Sequence, residues 1–128
     1  MKMTNDIETR EDIEQVLTAF YSKAFEDDLI KHFFLEVVPL DLKTHIPLIT
    51  DFWEAILFNK HTYRKNVMEV HQHISFLSSI KKVHLDRWLL LFQQTLDEFF
   101  AGQKTELAKQ RAQSIATMMN IKLNHSNG

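Results

Sequence analysis

Apolar residues recur every three or four positions along most of this chain, which is the spacing of one face of an α-helix. One histidine stands on the clearest of these apolar stripes. An imidazole in that place is either a hydrogen-bonded core group or a functional group directed at a cavity. The stripe consists of His45, Leu48, Ile49, Phe52, Trp53, Ile56 and Leu57.

The first predicted helix begins at Thr9, whose hydroxyl can cap the amides ahead, with Asp12 three residues further on as in a capping box. A shorter helical piece follows over 29–37 and ends at Pro39, because proline cannot continue a helix. The apolar face of the first helix consists of Ile13, Val16, Leu17, Phe20 and Ala24.

Thr44 is the predicted cap of the next helix, which contains Pro47 in its first turn and runs to about Phe58. A long helix then carries apolar residues over 85–99 and is expected to close near Gly102 as a glycine C-cap. Thr105 is predicted to start the last helix. Its predicted face consists of Leu107 or Ala108, Arg111, Ala112, Ile115 and Met118 or Met119.

The composition favours an all-α protein. Only two glycines and two prolines occur in 128 residues, so the tight turns of a many-stranded fold are mostly unavailable. The chain is expected to form one domain over 1–128, with its core at about 9–123 and short polar tails. A net charge of −2 gives no electrostatic case for nucleic acid or an anionic membrane. The polar start has no apolar signal segment, so a cytoplasmic location is expected.

The absence of cysteine excludes disulfides, thiolate catalysis and cysteine-bound metals, so any metal must be held by histidines and carboxylates. No His-Glu-x-x-His motif occurs, and no histidine has a glutamate three residues before it. His71 and His73 would point about 200° apart on a helix and so are not a chelating pair there. His61 and His84 lie in polar stretches and are interpreted as surface histidines.

Tyr21, His45, His71 and Trp88 each bring a polar atom to an apolar helical surface. Without a ligand, four such groups in one small interior would need four protein or water partners. A cavity that contains a cofactor meets this demand more simply, although each residue taken alone is compatible with a plain core role.

A set of motifs occurs in order over roughly Ile13 to Ala116. The motifs are Phe20-Tyr21, His45, Asp51-Phe52-Trp53, Tyr63 followed by Met68-Glu-Val-His71, and Asp86-Arg-Trp88-Leu-x-Leu-Phe92. This ordered set resembles group III truncated haemoglobins, although the chain has Lys65 and Val67 where the family commonly has glycine and proline. The resemblance implies an all-α, shortened globin fold in which a two-over-two helical sandwich surrounds a non-covalent haem b.

By this resemblance His71 is the proximal ligand of the haem iron, with Met68 one helical turn earlier. Tyr21, His45 and Trp88 match the distal positions, where O–H and N–H donors stabilise a polarised ligand. An axial role for His73 is a lesser alternative. The residues expected to wall the haem or reach its propionates are Phe33 or Phe34, Ile49, Phe52, Trp53, and Tyr63 with Arg64 and Lys65.

The function implied is the binding of O2, NO or CO, with NO-dioxygenase-type detoxification or other O2 and redox chemistry as a further expectation. Turnover would need an external reductase, because the sequence has no flavin or nicotinamide module. A monomer or weak dimer is expected. Two alternatives stay open: a peroxidase-like protein in which His45 is the acid and base, and a haem-free globin-like sensing or interaction module.

Overall fold

The computed structural model describes residues 5–33, 42–60 and 80–124, and within these ranges all regular structure is helical. Helices α1 and α2 precede the segment over 61–79, and α3 and α4 follow it. The four helices are α1 (Arg10–Glu26), α2 (Leu42–Leu57), α3 (Lys82–Phe99) and α4 (Gln103–Asn124).

Helix α1 begins as the sequence predicts. The backbone N–H of Asp12 donates to the Thr9 hydroxyl, and the Asp12 carboxylate in turn accepts from the Thr9 N–H at 3.1 Å. This capping box satisfies donors that a helix start leaves without partners. All five residues of the predicted apolar face are buried, and Tyr21 is buried beside them.

The predicted start of α2 is wrong, because the helix already includes Leu42 and Thr44 therefore lies inside it. Pro47 consequently stands in the second turn and not in the first. The most buried face of α2 is also rotated from the predicted stripe. It consists of Thr50, Trp53, Glu54 and Leu57, while His45, Ile49, Phe52 and Ile56 are half-buried.

The junction of α3 and α4 differs from the expectation in two ways. Phe100 caps the end of α3 in an extended conformation, so Gly102 is not its C-cap. Gly102 instead precedes α4, which starts at Gln103 and places Thr105 within its first turn. Of the predicted face of α4, Arg111 is exposed, and the buried residues are Thr105, Ala108, Ala112, Ala116, Met119 and Leu123.

Two antiparallel pairs, α1 with α2 and α3 with α4, pack on each other through contacts of α1 with α3 and of α2 with α4. Their shared core is apolar and includes large side chains such as Phe20, Leu17 and Leu96. Burial of each such side chain contributes about 1.5–3 kcal/mol, which makes this core the main source of stability. None of the helices in the described ranges has an apolar stretch that could cross a bilayer.

Candidate functional site

The Tyr21 hydroxyl oxygen lies 2.6 Å from Nε2 of His45. Tyr21 comes from the C-terminal half of α1 and His45 from the first turns of α2, so the antiparallel pairing of these helices brings the two side chains together. Tyr21 is only 7% exposed. Burial raises the pKa of the Tyr21 hydroxyl above its ordinary value, so the phenol keeps its proton at physiological pH.

Phe20 connects this polar pair to Trp88 on α3. Its ring makes edge-to-face contacts with Tyr21 at 5.1 Å and with Trp88 at 6.3 Å between ring centroids. Phe92 stacks on Trp88 and also on Trp53 of α2. The three predicted distal residues therefore lie around one aromatic cluster, although their roles stay predictions.

The face of α2 that carries His45 also carries the predicted wall residues Ile49 and Phe52, one and two turns further on. These side chains are half-buried and pack against the core from its margin. Trp88 is half-buried as well. The arrangement thus joins a polar group on α1 to an apolar face on α2 that retains accessible surface.

Phe33, a predicted wall residue, is buried. Its ring contacts His84, which lies near the start of α3. The His84 ring lies 4.9 Å from the Phe33 ring, and the His32 ring lies 4.0 Å from it. His84 is half-buried, and its Nδ1 accepts a hydrogen bond from the Lys81 N–H at 2.9 Å. His84 is thus a partly exposed histidine whose ring also accepts a hydrogen bond and packs against Phe33.

Several predicted site residues lie outside the described residues, among them the proposed iron ligand. Within the described ranges, no group of three His, Asp or Glu side chains could hold a metal ion. The predicted residues outside these ranges are His71, Phe34, Tyr63, Arg64, Lys65 and Met68, together with the alternative ligand His73.

A charged cluster that the sequence pattern does not predict joins α1 to α2. Nη1 of Arg10 donates to Oδ1 of Asp51 and to Oε1 of Glu54, each at 2.7 Å. Glu54 is 6% exposed, which is unusual for a carboxylate. No local pattern could reveal this cluster, because Arg10 is 41 and 44 residues from its two partners.

The fold is that of a solved globin. The crystal structure of group III truncated hemoglobin from Campylobacter jejuni matches with a TM-score of 0.83 and 24% sequence identity, over 98% of this chain and 99% of that chain. No model of a protein family matches the chain, and no curated protein matches its sequence. The expected all-α, shortened globin fold is thereby confirmed.

Proposed function

We propose that this chain is a haem b protein of the truncated-haemoglobin type that binds O2, NO or CO at a polar distal pocket. The observation that carries the proposal is the hydrogen bond between Tyr21 and His45, set beside an aromatic cluster and a half-buried apolar face. The structural similarity to the Campylobacter jejuni truncated hemoglobin supports the proposal through the shared fold.

The described residues fit a haem by their chemistry. A porphyrin needs apolar surface for its ring and a few polar groups for what binds at its centre. The face of α2 with Ile49 and Phe52 supplies apolar surface that the core only half covers. Tyr21 and His45 at one end of that surface, and Trp88 beside Phe20, supply O–H and N–H groups.

His71 would hold the haem, and the haem iron would supply reversible binding of a diatomic ligand. The imidazole must be neutral to bind iron. The walls proposed from sequence are Phe33 or Phe34, Ile49, Phe52 and Trp53, with Met68 on the proximal side and Tyr63 and Arg64 at the propionates.

The Tyr21–His45 pair can present its protons in two ways. If His45 carries its proton on Nδ1, Nε2 accepts from the Tyr21 hydroxyl, and the tyrosine proton is engaged. If the proton is on Nε2, His45 donates to the Tyr21 oxygen, and the Tyr21 O–H can donate to a polar ligand. Since burial raises the pKa of Tyr21, this proton stays on the phenol in both cases.

Donors directed at a partly negative ligand slow its release, and this suits redox handling of O2 or NO better than bulk oxygen delivery. We therefore include NO oxidation to nitrate in the proposal, with electrons from an external reductase. The proximity of His45 to Tyr21 also favours a second candidate, peroxidase-like activity with His45 as acid and base. A Tyr21→Phe variant should mainly change O2 release, whereas a His45→Leu variant should mainly lower peroxide turnover.

Haemin titration of the purified chain tests the proposal. We expect a Soret band at one haem per chain, its loss in His71→Ala, and its retention in His125→Ala, a tail histidine with no proposed role. A chain that retains no Soret band once unbound haemin is removed would refute the proposal and favour the haem-free module. Stopped-flow mixing of the O2-loaded protein with NO then tests the oxidation step, and ferric product formed no faster than with free haem would refute that step.

A further inference from the structure

Arg10 ties the start of α1 to one face of α2 through three separate contacts. Besides its bonds to Asp51 and Glu54, its Nη2 donates to the carbonyl oxygen of Pro47 at 3.3 Å. Positions 47, 51 and 54 are spaced by four and three residues, so they lie on one side of α2. One planar guanidinium therefore hydrogen-bonds to residues in two successive turns of this helix, which the single ammonium of a lysine could not do.

Burial of Glu54 makes this contact costly to lose. A carboxylate that is removed from water must be paired, or its charge destabilises the fold. The second cation near Glu54 is Lys60, whose Nζ lies 3.2 Å from Oε2 and whose side chain is 54% exposed. The Arg10 side chain is only 32% exposed, so water screens its attraction to Glu54 less.

The α1–α2 interface thus has polar contacts at two separate places. Arg10 binds α2 between Pro47 and Glu54, and Tyr21 meets His45 near the start of this helix. Arg10 and Tyr21 are eleven residues apart on α1, which is about 16 Å along a helix. The α1 side chains buried between them are mainly apolar, and apolar contacts resist sliding and rotation less than directional hydrogen bonds do.

We infer that Arg10 is a positioning residue that holds α2 where the His45 imidazole meets the Tyr21 hydroxyl. Through that pair it sets how tightly a polar ligand is retained in the pocket, a consequence that rests on the proposed function. Loss of the Arg10 contacts would let α2 shift against α1, and a shift of about 1 Å is enough to lose the Tyr21–His45 hydrogen bond of 2.6 Å.

The test compares Arg10→Gln and Arg10→Lys with a matched control, Lys23→Gln. Lys23 also lies on α1 and is 30% exposed, but it pairs with Glu98 and Thr95 of α3 and so leaves the α2 contact intact. The first measurement needs no haem. It is the ¹³Cζ NMR signal of Tyr21 in the apo chain, assigned by its loss in Tyr21→Phe. The second is the rates at which O2 and CO leave the haem-loaded chain.

We expect Arg10→Gln to move the Tyr21 signal toward that of a solvent-bonded phenol and to change the rate of O2 release by about three- to tenfold, the effect of one hydrogen bond. CO release should stay within about twofold, since CO carries little charge for a donor to hold. Arg10→Lys should fall between Arg10→Gln and the unchanged chain, and Lys23→Gln should match the unchanged chain.

A Tyr21 signal that is the same in Arg10→Gln, Lys23→Gln and the unchanged chain would overturn the inference. Equal acceleration of O2 and CO release in Arg10→Gln would overturn it too. If Arg10→Gln does not fold, the comparison of Arg10→Lys with Lys23→Gln decides by the same criteria. A chain that takes up no haem would refute the proposed function, while the NMR comparison would still decide the role of Arg10.

Discussion

The carboxylate of Asp6 caps a helix whose first turn lies almost a hundred residues away. Its Oδ1 accepts from the backbone N–H of Thr105 at 2.9 Å and from the Thr105 hydroxyl at 2.8 Å. Its Oδ2 accepts from the Lys104 N–H at 2.8 Å. The segment before α1 is thereby hydrogen-bonded to the start of α4. A negative charge is favourable there because the first amide donors of a helix need acceptors and because of the helix dipole.

Replacement of Asp6 by alanine should lower the free energy of unfolding by about 1–2 kcal/mol, the usual cost of a lost helix cap. Chemical denaturation monitored by far-UV circular dichroism measures this. The loss of unfolding free energy is compared with that of Asp12→Ala, which removes the Asp12 hydrogen bond of the α1 capping box. A loss below about 0.3 kcal/mol for Asp6→Ala would contradict the capping role.

Replacement of Gly102 by alanine should also destabilise the protein, by more than about 1 kcal/mol. Gly102 has φ +145°, where side chains other than glycine's are strained, and a Cβ there would lie 2.5 Å from Cγ of Asp6. In the Asp6→Ala background the contacts with Cγ and Oδ2 are removed, whereas the contact with the Cβ of residue 6 at 2.6 Å and the backbone strain remain. The two substitutions should therefore cost less together than the sum of their single effects, and strict additivity would count against the contact.

Below pH 4 the same cap should weaken. Burial acts to raise the pKa of Asp6, but hydrogen bonds from Lys104, Thr105 and Ile7 outweigh it and hold the pKa below its ordinary value of 3.8. Because the folded protein binds this proton less tightly than the unfolded chain, the stabilisation is complete above pH 3.8 and is lost as the pH falls through the lowered pKa. Asp6→Asn should show a shallower loss of stability with acid over that window.

At mildly acidic pH, His84 should make the protein less stable. Burial, His32 and Lys81 lower the pKa of His84 from its ordinary value of 6.5, and the neutral ring is what accepts from the Lys81 N–H. The unfolded chain then binds the proton more tightly, so the free energy of unfolding falls as the pH drops below 6.5 toward the lowered pKa.

His84→Gln tests this, because glutamine at this helix position can accept the same backbone bond and does not titrate. We expect its stability to change less than that of the unchanged chain between pH 7 and pH 5. His125→Gln serves as the control for loss of a histidine outside the helices described. Parallel pH profiles for the unchanged chain and His84→Gln would refute the prediction.

In the haem-loaded protein, Trp88→Phe should speed O2 release by about three- to tenfold, since phenylalanine retains an aromatic ring against Phe92 but has no N–H to donate. Leu90→Ala is the control, because Leu90 is exposed on the same helix. Flash photolysis and stopped-flow displacement measure the rates. An O2 release rate that equals that of the control would remove Trp88 from the proposed distal donors.

The local sequence was sufficient for the helices whose signals are local. The Thr9–Asp12 capping box and the apolar spacing of α1 predicted the start of that helix and all five of its predicted core residues. Tyr21, His45 and Trp88 could be selected because each places a polar atom on an apolar stripe, and the structure brings them around Phe20. The motif order likewise pointed to the globin fold that the structural comparison supports.

Tertiary structure alone decided the features whose partners are far apart in the chain. The sequence placed Gly102 at the end of α3, because glycine is common both after one helix and before the next. Only the contact with Asp6, which caps α4, shows that Gly102 belongs to the start of α4. Nothing in the local sequence distinguishes Arg10, and only the packing of α2 on α1 places Glu54 beside it. Helical periodicity arises within one or two turns and is written in neighbouring residues, whereas a buried charge is compensated by whichever residue the packing of helices places beside it.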